Sequence, residues 1–143
     1  MPTATRHDPH GVFCFRVEID GIAVAGFSEA SGLEAEIIPI DYREGNEDIV
    51  VRKIPGLKKF VNITLKRGLS NLDLWNWIRN VGSGNPDRRN GSIILLNAER
   101  EPLLSFRFHN GWPCKWEVSP LNALGNEIAI ETLEICHEGL EVE

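Results

Sequence analysis

Residues 59–81 read Lys-Phe-Val-Asn-Ile-Thr-Leu-Lys-Arg-Gly-Leu-Ser-Asn-Leu-Asp-Leu-Trp-Asn-Trp-Ile-Arg-Asn-Val, and the hydrophobic period changes in the middle. In the first half Val61, Ile63 and Leu65 alternate with Asn62, Thr64 and Lys66, the period of two of a half-buried strand. Beyond Gly68 the apolar residues Leu74, Ile78 and Val81 fall on one helical face, with Leu72 leading in and Trp75 beside them. Ser70 is placed to cap this helix, Asp73 adds negative charge to its first turn, and Gly82 and Gly84 follow its end. The spacing predicts a helix over about 70–81, and no second segment of comparable quality occurs. One strand-to-helix unit among many strands is the architecture to expect.

The flanking segments are strands and turns. Phe13, Phe15, Val17 and Ile19 alternate with Cys14, Arg16, Glu18 and Asp20, and Asp20-Gly21 predicts a hairpin with a return strand over Ile22 to Phe27. Ser28 to Leu33 carries turn chemistry. The segment over about 36–56 is interrupted by Pro39, is densely charged from Asp41 to Asp48, and has Gly45-Asn46 at its centre. It reads as a long protruding hairpin arm, either a solvated loop or an arm ordered against another subunit. After the helix, Ile93 to Leu96 is short and continuously apolar, Leu104, Phe106 and Phe108 alternate, and Asn110-Gly111 marks a turn or bulge. Trp112-Pro113-Cys114-Lys115-Trp116 reads as an edge or irregular strand. In the last strand Ile128 and Ile130 share one parity, whereas Leu133 and Ile135 take the other. That phase change predicts an extra residue near Glu131 or Thr132, or a strand passing between sheets. The fold class is mainly β, an antiparallel sandwich or barrel with one helix.

The chain has 143 residues, enough for one domain with a sizeable core, expected over residues 11–143 behind a flexible tail at 1–10. Hydrophobic residues make up 42% and charged residues 25%, and the net charge of -6 disfavours a nucleic-acid groove or an anionic membrane surface. No apolar run has the length of a signal peptide or a membrane span, so synthesis and folding in the cytosol are expected. Cys14, Cys114 and Cys136 form neither a disulfide framework nor a Cys-x-x-Cys ligand pair, and reduced thiols are expected.

Catalytic signals are weak. Gly82-Ser83-Gly84 lacks the strand, helix and lysine of a phosphate-binding loop. His7, His10, His109 and His137 are too scattered for a metal set, and Cys136 and His137 point to opposite faces of a strand. No catalytic residue, cofactor or metal is expected. Trp75 and Trp77 lie two apart on the helix, and with Trp75 beside the Leu74/Ile78 stripe, Trp77 is the one expected at a contact surface, the alternative being that it folds against a neighbouring loop. Arg88-Arg89 forms a local basic patch.

Several blocks of the chain, taken in order, carry a family resemblance. They are Phe-Arg-Val-Glu-Ile-Asp-Gly-Ile-Ala-Val-Ala-Gly-Phe-Ser-Glu-Ala-Ser-Gly-Leu (15–33), Tyr-Arg-Glu-Gly (42–45), Arg-Lys-Ile-Pro-Gly-Leu (52–57) and Ile-Thr-Leu-Lys-Arg-Gly (63–68). Leu-Trp-Asn-Trp-Ile (74–78), Arg-Arg-Asn-Gly (88–91), Trp-Pro-Cys-Lys-Trp (112–116), Gly-Asn-Glu-Ile-Ala-Ile-Glu-Thr-Leu-Glu (125–134) and His-Glu-Gly-Leu-Glu (137–141) continue the match. Together these blocks resemble the tail tube proteins of contractile phages and phage-tail-like injection particles, above all the inner tube subunit of extracellular contractile injection systems, and the type VI secretion tube protein is similar in fold. The resemblance implies a β-barrel subunit that forms homo-hexameric rings, stacked into a hollow tube inside a contractile sheath and driven through a target membrane. It implies as partners further copies of the chain, the sheath protein, the baseplate hub, terminal cap proteins and lumenal effector cargo, with assembly in the cytoplasm and a final place in a phage tail or released particle. The arm and the helix would lie at subunit boundaries. Within them Tyr42, Arg43, Glu44, Asn46, Glu47, Asp48, Arg52, Lys53 and Trp77, with Arg88 and Arg89, are the expected contact residues, and the charged arm suggests a polar, salt-sensitive contact. A minor ring near the baseplate, a monomeric barrel holding a small apolar ligand, and a hydrolase built on one of the cysteines stand as alternatives.

Overall fold

A computed structural model describes residues 14–22, 26–43, 45 and 51–143. The expected tail, Phe13, Ala23 to Ala25, and the arm tip with Glu44, Asn46, Glu47 and Asp48 lie outside the described residues. The elements are β1 (Cys14–Ile19), β2 (Phe27–Ser31), β3 (Ala35–Tyr42), β4 (Arg52–Phe60), β5 (Ile63–Gly68), α1 (Asp73–Gly82), β6 (Arg89–Leu96), β7 (Pro102–Val118), β8 (Ile130–Cys136) and β9 (Gly139–Val142). All pairings are antiparallel. Seven strands form one continuous sheet path, β1-β6-β7-β8-β5-β2 with β9 on β7, and β3 and β4 form a separate two-stranded ribbon. Among the described residues the expected mainly β fold with a single helix and a protruding hairpin is therefore present.

β7 carries the architecture. Its first half pairs with β6 and β9, and its second half, from Trp112 onward, pairs with β8. One strand thus serves two sheets, which face each other across the core. The bend falls at Asn110-Gly111, where no chain reversal occurs. Asn110 takes a positive φ of 53°, and the Phe108 ring occupies the space a side chain would need at both neighbouring glycines. A Cβ added at Gly91 would stand 2.4 Å from Phe108 Cζ, and one added at Gly111 would stand 2.6 Å from Phe108 Cε2. Asn-Gly here marks a strand corner, because glycine admits the buried aromatic against the backbone.

The core joins Val17, Ile19, Ile22, Phe27, Ile63, Leu65, Leu74, Trp77, Ile93, Phe108, Leu133 and Ile135. The phase change in the last strand is resolved without the expected bulge or sheet crossing in that strand. β8 pairs with β5 in uninterrupted register from Ile63↔Ile135 to Gly68↔Ile130, and its inward parity is Glu131, Leu133 and Ile135. Ile128 and Ile130 are left outward. Glu131 is buried because β5 supplies Arg67 on the matching inward parity. Arg67 Nε donates to Glu131 Oε1 at 2.5 Å, Trp116 Nε1 donates to Glu131 Oε2 at 3.1 Å, and Arg67 Nη2 donates to Asn71 Oδ1 at 2.8 Å. The guanidinium also lies 5.2 Å from the centre of the Phe27 ring. A paired charge replaces the irregularity the pattern suggested.

Other boundaries also move. The turn at Asp20-Gly21 forms, with Ile22 N–H donating to Ile19 O at 3.0 Å and Ile22 bridged antiparallel to Ile19. The middle of the expected return strand, Ala23 to Ala25, lies outside the described residues; among the described strands β1 pairs with β6 and β2 with β5. Ser28 to Ser31 is strand rather than turn. The helix starts at Asp73, and Asn71 Oδ1 accepts from the Asp73 N–H at 3.1 Å in place of the expected Ser70 cap. The same oxygen receives Arg67, which ties the helix start to β5.

Candidate assembly interface

The β3–β4 ribbon stands apart from the main sheet, and almost every side chain on it is exposed. Pro39 pairs with Pro55, neither of which has an N–H to donate, and a bulge sits between Ile37 and Pro39. Beyond it the register sorts the side chains by face. Ile40 lies opposite Ile54 and Tyr42 opposite Arg52 on one face, and Asp41 lies opposite Lys53 on the other. One face of the ribbon therefore groups Ile40, Ile54 and Tyr42 with Arg52, and the other carries the Asp41–Lys53 pair. Ile40 is 48% exposed and Ile54 46%, and Leu57 near the base is more open still. On the described stem of the arm apolar and charged side chains both stand exposed.

Two further apolar surfaces lie elsewhere. On the helix Leu72 and Trp75 are exposed, with the Trp75 ring packed 5.0 Å from that of Trp116, centre to centre. In the loop between β7 and β8, Leu121, Leu124 and Ile128 point into solvent. Side chains of this size left open in clusters are characteristic of surfaces that another molecule covers. Among the described strands β1 and β2 end the path, and the end of a sheet is a second place for association.

Of the expected contact residues, Tyr42, Arg43, Arg52 and Lys53 lie on the ribbon or at its outer end. Trp77 is corrected: it is 1% exposed, and Trp75 is the open one at 40%. The spacing Leu74-Trp77-Ile78-Val81 is the i, i+3, i+4, i+7 stripe of a buried helix face, and weighing Trp77 against Leu74 rather than against Trp75 alone finds this. The Trp77 indole N–H donates to Asp87 O at 2.7 Å, and the Arg89 guanidinium lies 5.2 Å from its ring. Arg89 forks onto the Asp87 carboxylate at 3.1 and 2.8 Å and donates to Asp20 O at 2.9 Å. It is an internal clasp, and its hydrogen bonds hold the Asp87 carboxyl below its usual range. Arg88 is exposed and meets Glu138 at 3.0 Å. Ile40, Ile54, Leu57, Leu72, Leu121, Leu124 and Ile128 were absent from the sequence-based set. Their signal was the presence of isoleucines and leucines inside segments otherwise read as loop or charged arm.

Among the described residues no cluster of three or more His, Cys, Asp or Glu side chains is arranged to hold a metal ion. The cleft beside Asp20, of about 420 Å³, opens to the surface and mixes Glu18, Asp20, Asn90 and Arg107 with Ile22 and Phe108. A small apolar ligand calls for a drier and more enclosed space.

Residues 11–141 match the sequence profile of the family described as T4-like virus tail tube protein gp19. No curated protein matches the chain by sequence. Among solved structures, it is similar to a chain of the PVC extracellular contractile injection system sheath-tube complex in the extended state, with 25% identity and a TM-score of 0.84 over 94% of this chain and 91% of that one. It is likewise similar to a chain in the tube-terminating cap of the anti-feeding prophage, with 25% identity and a TM-score of 0.86 over 99% and 95% of the two chains. Hcp1 from Flavobacterium johnsoniae shares the fold at 14% identity and a TM-score of 0.63, over 91% and 94%.

Proposed function

The chain belongs to the T4-like virus tail tube protein family, and from that premise we propose that it is a non-catalytic subunit of the inner tube of a contractile, phage-tail-like injection particle. Six copies close into a ring, rings stack into a hollow tube, and the tube conducts cargo when a surrounding sheath drives it through a target membrane. Sheath, baseplate hub and terminal cap are its partners in the particle, and assembly takes place in the cytoplasm before release.

The observation that carries this reading is the ribbon, on which Ile40 and Ile54 stand opposite each other and about half exposed among the described residues. A separate two-stranded ribbon is marginal in water by itself. Docking on a neighbouring copy buries its isoleucines and fixes its angle. Sheets of adjacent copies align side by side around the ring, which satisfies strand edges that a single subunit leaves unpaired. The charged tip and Arg43, Arg52 and Lys53 set register, since opposite charges steer approach and like charges reject misaligned rings. Trp75 takes the contact role on the helix that its sequence neighbour Trp77 cannot fill from the core.

The test is the double variant Ile40→Glu/Ile54→Glu. It should fold with an unchanged thermal midpoint, because neither side chain belongs to the core, and it should form no long tubes in negative-stain electron microscopy. Tubes of normal length would overturn the proposal.

A further inference from the structure

Cys114 and Cys136 lie 22 positions apart in sequence, a spacing that gives no hint of a pair, yet β7 and β8 bring them to the same outer surface. β8 turns Leu133 and Ile135 inward, so Glu134 and Cys136 face out. On β7 the register runs Trp112↔Cys136, Pro113↔Ile135 and then Lys115↔Glu134, leaving Cys114 as the extra residue of a bulge. The bulge lays the Cys114 side chain across β8: its Sγ is 3.5 Å from Glu134 O, and Asn62 Nδ2 reaches the sulfur at 3.8 Å while donating to Glu134 Oε1 at 2.9 Å. Burial first, and then the adjoining Cys136 thiol, push the Cys114 thiol up to about 12. Both cysteines are free thiols, Cys114 exposed and Cys136 half-buried.

We propose that Cys114 and Cys136 form an oxidisable dithiol site that closes to an intrachain disulfide, stapling β7 to β8, when the protein meets a low-molecular-weight disulfide. With strands about 4.8 Å apart and an offset of about one and a half residues, the two Cα atoms are separated by roughly 7 Å, at the upper edge of the disulfide window of about 4.4–6.8 Å. Closure needs a small movement, and the bulge, where the ladder is already interrupted, is the place that can supply it. Either cysteine can begin the reaction. Its thiolate attacks one sulfur of the small disulfide, forming a mixed disulfide and releasing one small thiolate. The sulfur of the other cysteine then displaces the second small thiolate and forms the Cys114–Cys136 bond. The two protons lost by the cysteines end on the two small thiols; the cysteines are oxidised and the small disulfide is reduced. The staple forms within one chain, so single subunits and assembled material alike should close.

The purified full-length chain is incubated with oxidised glutathione at pH 8, and its thiols are titrated after denaturation. The titre should fall from three, the number of cysteines, to one. Peptide mapping should recover a 114–136 cross-link, and the thermal midpoint should rise by about 5–10 °C and return on reduction. Cys14→Ser should close in the same way, whereas Cys136→Ser should lack the cross-link and the rise. Recovery of glutathione adducts on both residues without a cross-link, an unchanged titre, or a link involving Cys14 instead would overturn the proposal.

Discussion

Replacing Glu131 by Gln probes the feature that most distinguishes this core. The Glu131 carboxylate is fully buried and its partner Arg67 is 1% exposed. One carboxylate oxygen takes Arg67 Nε and the other takes the Trp116 indole N–H, while Arg67 keeps Asn71 through Nη2, and its Nη1 has no hydrogen-bond partner among the described residues. Glutamine preserves shape and can still accept from Arg67, but it removes the compensating charge and turns an amide donor toward the Trp116 donor. An ion pair whose charge centres lie about 4 Å apart is worth about 4 kcal/mol at an effective dielectric of about 20, and deleting one partner of a buried pair costs about 3–5 kcal/mol. The two figures agree, and a loss of about 3–5 kcal/mol lowers the midpoint of a chain this size by about 10–15 °C. Urea unfolding at pH 7, followed by far-ultraviolet circular dichroism, measures the difference directly. The double variant Arg67→Met/Glu131→Leu removes both charges and should recover at least about 2 kcal/mol of the loss, since an apolar pair of similar volume is often neutral or stabilising. A Glu131→Gln protein within about 1 kcal/mol of the parent would refute the claim that the buried charge is held by its partner.

Trp77→Ala should cost about 3–5 kcal/mol in urea unfolding, whereas Trp75→Ala, on the exposed side, should cost far less and act on assembly instead. Gly111→Ala places a Cβ against the Phe108 ring and should destabilise by about 1–3 kcal/mol, measurable as a lowered thermal midpoint and relieved by Phe108→Leu. Asp87 has a folded pKa below its ordinary 3.8 because Arg89 favours the charged form. Its contribution is therefore fully present above pH 3.8 and is lost as pH falls through the lower folded value. Asp87→Asn should flatten that acid limb of stability against pH, and an unaltered limb would exclude the clasp as its source.

By itself the sequence determined the class of the protein. The alternation around Ile63 and Leu65 and the 3.6-residue stripe after Gly68 are local consequences of how side chains must face a core, and they announce one helix among strands before any contact is known. The hairpin arm, with its central glycine and flanking charges, was legible for the same reason, and the ordered blocks of family resemblance needed no coordinates. Tertiary structure decided what depends on partners distant in the chain. The phase change before Leu133 looked like a bulge because a lone strand gives no sign that Arg67, 64 positions away, will accept Glu131 in the core. Asn110-Gly111 looked like a turn because only the Phe108 ring explains why glycine is needed there. Trp77 is buried and Trp75 open because the helix docks by the face containing Leu74, and Ile40 and Ile54 became visible as one exposed face only once strand register placed them opposite each other. Periodicity reports the side a residue faces, and long-range pairing decides what stands on that side.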